Sequence, residues 1–93
     1  MFKKKAMKKS SAIKDDQLII AAIGVMNDEF NGAVPLDEIN FCLRIDFKCK
    51  IKDSQLLSIL NYAINSNLIL KEPKGYILTP QGEKIADEIL KQL

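Results

Sequence analysis

The chain has 93 residues, 47% of them apolar and 28% charged, with a formal net charge of +2. That is enough for one domain with one modest core, and the longest apolar run, residues 18–26, falls far short of the ~20 residues a membrane span needs. With no His and only Cys42 and Cys49, the four-ligand set of a structural zinc site and a disulfide scaffold are both excluded.

The positive charge is unevenly placed. Lys3, Lys4, Lys5, Lys8 and Lys9 open the chain, whereas residues 10–93 carry nine basic and twelve acidic side chains and are net −3. Residues 1–10 read as a basic, disordered, solvated arm and residues 11–93 as the folded domain. A lysine-rich start before an apolar run has the outline of a signal peptide. However, Lys14, Asp15 and Asp16 stand where its apolar segment would begin, and Asn27-Asp28-Glu29 where small residues would precede cleavage. A cytoplasmic protein without a membrane segment is expected.

The first helix is predicted over residues 11–30, with Ser11 or Asp15 as N-cap. Leu18, Ile19, Ile20, Ala22, Ile23, Val25, Met26 and Phe30 cover more than half its circumference, more than one core-facing stripe requires. A second apolar side on a helix of a small domain points to burial against another chain. Asn31-Gly32 ends the helix, with Gly32 suited to a left-handed position. Ala33-Val34 is predicted as a short strand. Pro35 and Asp37 then signal a second helix, on which Leu36, Ile39, Cys42 and Leu43 recur at helical spacing.

Residues 39–51 carry two readings. Every odd position, from Ile39 through Phe41, Leu43, Ile45, Phe47 and Cys49 to Ile51, is apolar, the period of a half-buried strand. Thirteen residues is long for one strand. The second helix is therefore placed at 36–43, with 44–52 an extended connector that can carry strand character at 47–51. A third helix follows, capped by Asp53 or Ser54, with an apolar face of Leu56, Leu57, Ile59, Leu60, Ala63 and Ile64 running to Ser66.

A small polar step at Ser66-Asn67 leads into a strand at Leu68-Ile69-Leu70. Pro73-Lys74-Gly75 turns it back into Tyr76-Ile77-Leu78. Thr79 is the N-cap of a last helix with Pro80 at its first position and Ile85, Ala86, Ile89, Leu90 and Leu93 at helical intervals. In the run Leu78-Thr79-x-x-Gly82, Leu78 packs inward and Gly82 permits close approach of a neighbour.

The segment Gly75-Tyr76-Ile77-Leu78-Thr79-Pro80-Gln81-Gly82 resembles the wing-to-helix junction of winged helix-turn-helix regulators such as the MarR and PadR families. Asn67-Leu68-Ile69 resembles their helix-ending Gly-Leu-Ile step, with Asn in place of Gly. The order helix, short strand, helix, helix, hairpin, helix spans residues 11–93. The expected fold is thus α+β, mostly α: a three-helix core, a short β-hairpin wing and a C-terminal helix. The resemblance implies duplex DNA as partner, with the third helix in a major groove and the wing on backbone phosphate or the minor groove. Carried onto this chain, it puts Ser54, Gln55, Ser58, Asn61, Tyr62 and Asn65 on the outward face of the third helix, where Gln and Asn can pair with adenine. It also assigns Lys71 and Lys74 to the wing and Arg44, Lys48, Lys50 and Lys52 to the approach to the third helix. Residues 44–74 hold six basic and three acidic side chains.

The implied activity is sequence-specific transcriptional regulation by a homodimer, its interface formed by Ile19, Ile20, Ile23, Ile89 and Leu93 of the first and last helices. Several features depart from the pattern. The third helix has no Arg, the usual reader of guanine, the wing carries Glu72, and the body is net acidic. These favour the alternative, a winged-helix protein-interaction module or a viral or plasmid accessory factor that reads no bases. No enzyme, metal or cofactor is expected. There is no His base, no nucleophile motif and no glycine-rich phosphate loop, and Asp15-Asp16, Asp28-Glu29, Asp37-Glu38 and Asp87-Glu88 are sequence neighbours that do not face one another on a helix. Cys42 and Cys49 read as core residues, with a redox pair as the lesser alternative, kept open by Lys48 and Lys50 beside Cys49.

Overall fold

A computed structural model describes residues 14–93. Within them the chain forms α1 (Asp15–Phe30), α2 (Leu36–Ile45), α3 (Asp53–Asn65), β1 (Ile69–Glu72), β2 (Gly75–Leu78) and α4 (Pro80–Gln92). This is a small, mostly helical α+β fold with one two-stranded antiparallel hairpin. No described helix is long and apolar enough to cross a membrane. The lysine arm and the Ser11 cap lie outside the described residues.

The helix α1 is the axle of the domain. Leu18, Ile19, Ala21, Ala22 and Ile23 have no exposed surface, and Ile20 and Met26 are buried. The helix packs on α4, α2 and β2, so its apolar residues are covered on several sides within one chain. The α1 residues expected at a dimer interface are among them. Ile19, Ile20, Ile23 and Ile89 are buried in the protomer and Leu93 is half-buried. A helix with neighbours on more than one side needs no second chain to explain an apolar surface wider than one stripe.

At the start of α1, Lys14 is the N-cap and its N–H donates to Gln17 Oε1 at 3.1 Å; Asp15 is the first helical residue. At its end Asn31, not Gly32, takes the left-handed conformation, with φ 56°. An Asn side chain tolerates that region. Asn27 then ties helix to hairpin. Its Nδ2 donates to the carbonyls of Gly32 (2.8 Å) and Tyr76 (3.1 Å), and its Oδ1 accepts from the Leu78 N–H at 2.9 Å.

The predicted strand at Ala33-Val34 is a single bridge, in which Val34 and Tyr76 exchange both backbone hydrogen bonds at 2.9 and 2.8 Å. Gly75, at φ 143°, lies so close that a Cβ there would overlap the Val34 carbonyl. The hairpin pairs Ile69 with Leu78 through Glu72 with Gly75.

Helix α2 runs two residues beyond the predicted end at Leu43; Asp46 is its helical C-cap, Lys48 is left-handed at φ 54°, and residues 46–52 form an irregular connector that belongs to no strand. The apolar alternation thus has two origins. Ile39 and Leu43 face the core from a helix whose Phe41 and Ile45 face outward, whereas Phe47 and Cys49 are buried from the irregular connector that follows it. Neither predicted cap of α3 serves as one. Lys52 is the N-cap, Asp53 is the first helical residue, and the Asp53 carboxylate accepts from Asn40 Nδ2 at 2.9 Å.

The α4 junction forms as its local chemistry dictates. The Thr79 hydroxyl oxygen accepts from the Gly82 N–H at 3.0 Å, and its proton faces the Asn67 and Leu68 carbonyls at 2.8 and 3.1 Å. Asn67 is left-handed at φ 65°, as a Gly-like residue would be.

Candidate nucleic-acid interface

The connector between α2 and α3 works as a ribbon with two faces. Phe47 and Cys49 are buried while Lys48 and Lys50 are exposed, with a left-handed Lys48 between the two buried side chains. A hydrogen bond from the Cys49 N–H to the Leu43 carbonyl, 2.8 Å, holds the ribbon against α2. Between the ribbon, α2 and the start of α3 lies an open groove of ≈ 470 Å³ lined by Asn40, Arg44, Lys50, Ile51, Lys52 and Gln55. It gathers three cations and no carboxylate. Asp53, the nearest acid in sequence, is engaged by the Asn40 amide, whose Oδ1 is left buried without a hydrogen-bond partner. Basic side chains that converge without a neutralising acid repel one another in the free protein and favour an incoming anion.

The outward face of α3 extends from this groove. Ser54, Gln55, Ser58, Asn61, Tyr62 and Asn65 are all exposed, opposite the buried Leu56, Leu60 and Ala63. Tyr62 is 67% exposed, more than any other large apolar or aromatic side chain described. It also borders a second, largely apolar cleft formed by Ile20, Ile59, Ala63, Leu68 and Ile85.

Not every predicted contact residue joins the groove. Lys48 is exposed, in a left-handed conformation at φ 54°, outside the groove lining. Lys71 folds back on its own strand. Its Nζ donates to the Glu72 carbonyl at 3.1 Å and sits 5.4 Å from the centre of the Tyr76 ring. Lys74 is exposed on the turn. Sequence reasoning missed Asn40, which places an amide on the groove wall. Its spacing of four from Arg44 would have revealed it once α2 was extended past Leu43.

Asp28, Glu83 and Asp87 line a cleft between α1 and α4 together with Asn27, and this cleft shares no residue with the Arg44–Lys50–Lys52 groove. Among the described residues no cluster of His, Cys, Asp and Glu could hold a metal ion.

The thiols face inward. Cys49 Sγ lies 3.6 Å from Asp15 Oδ1, whereas the lysines beside it in sequence are exposed. Burial, reinforced by the Asp46 carboxylate 3.6 Å away, pushes the Cys42 thiol up to about 12. A thiol this basic is not a nucleophile at neutral pH. It also links stability to alkaline pH. Above the unfolded thiol's 9.0 the unfolded chain loses a proton that the folded chain keeps until about 12, so stability falls as pH rises through that window. Urea unfolding from pH 8 to 11 is expected to show a smaller decline for Cys42→Ala than for the wild type. Equal declines would mean that the thiol is not held protonated by the fold.

No protein-family model, curated protein sequence or solved structure matches the chain.

Proposed function

We propose that this chain is a winged-helix DNA-binding protein, a cytoplasmic transcriptional regulator that contacts duplex DNA through α3 and the hairpin. The observation that carries this reading is the carboxylate-free groove of Arg44, Lys50 and Lys52 at the foot of an exposed polar helix face. In this role the groove takes backbone phosphate and fixes the docking register, because phosphate contacts position and base contacts specify. Ser54, Gln55, Ser58 and Asn61 then meet base edges in the major groove, with Gln55 and Asn61 able to pair with adenine. Lys74 at the hairpin turn reaches phosphate directly, whereas Lys71 must first leave the Tyr76 ring. The exposure of Tyr62 and Leu57 on α3 favours the second reading, a protein-binding face in place of a DNA-reading one.

Selection of full-length protein against random duplex DNA tests this proposal. An enriched sequence is expected; absence of enrichment at salt concentrations where the protein stays folded favours the protein-binding reading. On the enriched site, replacing Arg44, Lys50 and Lys52 with Ala should reduce the slope of log affinity against log salt by about 2–3, about 0.9 for each lost phosphate contact. An unchanged slope would remove the groove from the interface.

A further inference from the structure

The face of α2 turned away from the core is only partly polar. Phe41 and Ile45 are 53% and 48% exposed. Four residues apart on a helix, they form one patch. Helical geometry places Asp37 and Arg44 along one edge of this patch and Glu38 along the other. Among the described residues Arg44 has no carboxylate partner.

We propose that this face docks on the same face of a second copy, the two α2 helices antiparallel about a two-fold axis at Phe41. The charge pattern selects that arrangement. A two-fold axis perpendicular to both helices keeps each edge opposite its own equivalent and reverses its direction. Asp37, four residues before the axis, then faces the partner's Arg44, three residues after it. The offset is one residue, about 1.5 Å along the axis, well within the reach of a guanidinium. Symmetry makes the pair twice. On the other edge Ile45 meets the aliphatic stem of the partner's Glu38, and the two Phe41 rings meet at the axis in an aromatic contact. A parallel pairing, whose two-fold axis runs along the helices, exchanges the edges and would set Asp37 against the partner's Glu38, two like charges. This places self-association on α2 instead of on the buried isoleucines of α1 and α4. It does not depend on DNA binding, because it concerns the free protein.

One helix of ten residues makes an interface smaller than the ~1,600 Å² typical of stable complexes, so the dimer is weak and reversible, dissociating at tens to hundreds of micromolar. Sedimentation equilibrium of the full chain without DNA tests it, with circular dichroism as the check on folding. The wild type is expected to associate, and Phe41→Glu to be a folded monomer. Asp37→Arg should weaken association roughly tenfold, and Asp37→Arg combined with Arg44→Asp should restore it to within about threefold. A wild type that stays monomeric at about millimolar concentration overturns the proposal and leaves the patch to a different protein. Association that survives Phe41→Glu, or a double swap that fails to restore it, overturns the two-fold geometry.

Discussion

Replacing Ile23 with glutamate is expected to unfold the chain rather than release a soluble monomer. Ile23 has no exposed surface, and its helix packs on α4, α2 and β2. The substitution removes about 1.5–3 kcal/mol of apolar burial and places in the core a carboxylate without a partner, a cost of several kcal/mol. A domain of this length is stable by only ~5–14 kcal/mol, so the two losses together approach its whole stability. The expected readout is loss of the helical circular dichroism signal and aggregation, or earlier elution on size exclusion. Phe41→Glu is the matched control: the same chemical change at a half-exposed position of α2 should leave the signal intact. A folded, monomeric Ile23→Glu protein would mean that this residue faces a surface, and would return α1 to the role of interface.

The second large effect belongs to Gly82. A methyl group there would overlap the Leu68 carbonyl oxygen, the same oxygen that accepts from the Thr79 N–H at 3.0 Å and lies 3.1 Å from the Thr79 hydroxyl. The obstacle is backbone, pinned by hydrogen bonds, so it cannot swing aside as a side-chain tip would. Gly82→Ala must therefore lift the first turn of α4 away from the end of α3, straining the Thr79 cap. Overpacking of this kind costs about 1–3 kcal/mol or more. The gain in helix propensity, up to about 1 kcal/mol in a helix interior, offsets part of it. A net loss of about 2 kcal/mol is expected, read as a lower urea midpoint at unchanged m. A neutral or stabilising result would show that the junction is looser than its geometry implies.

These two positions mark the boundary between local and global information. Around Gly82 each signal acts through its nearest neighbours. Thr79 accepts from a backbone N–H three residues on, Pro80 tolerates the first helical position, Asn67 adopts a left-handed backbone, and Pro73-Lys74 turns the hairpin. Chemistry confined to a few residues can be read from a few residues, and the order and type of the elements from α3 to α4 followed from it. The exposed polar face of α3 was legible for a similar reason, because a single apolar stripe of Leu56, Leu60 and Ala63 leaves Ser54, Ser58 and Asn61 only one place to point.

Residues 39–51 were not legible in this way. Their alternation fits a strand only if Phe41 and Ile45 face inward, and both face outward from a helix. Periodicity assumes that apolar side chains are buried, so an exposed apolar patch on α2 reads as a different secondary structure. The groove shares that ambiguity, because Arg44 and Asn40 join Lys50 and Lys52 only once α2 continues to Ile45.

The sequence by itself determined a mostly helical α+β chain, its hairpin, its α4 cap and the outward side of α3, since each depends on contacts within a few residues. Tertiary structure decided which apolar surface is covered and which is free. Burial of Ile19, Ile20, Ile23 and Ile89 and exposure of Phe41 and Ile45 depend on where α1 sits among its neighbours, and apolar composition is the same for a residue packed inside one chain and one awaiting a second.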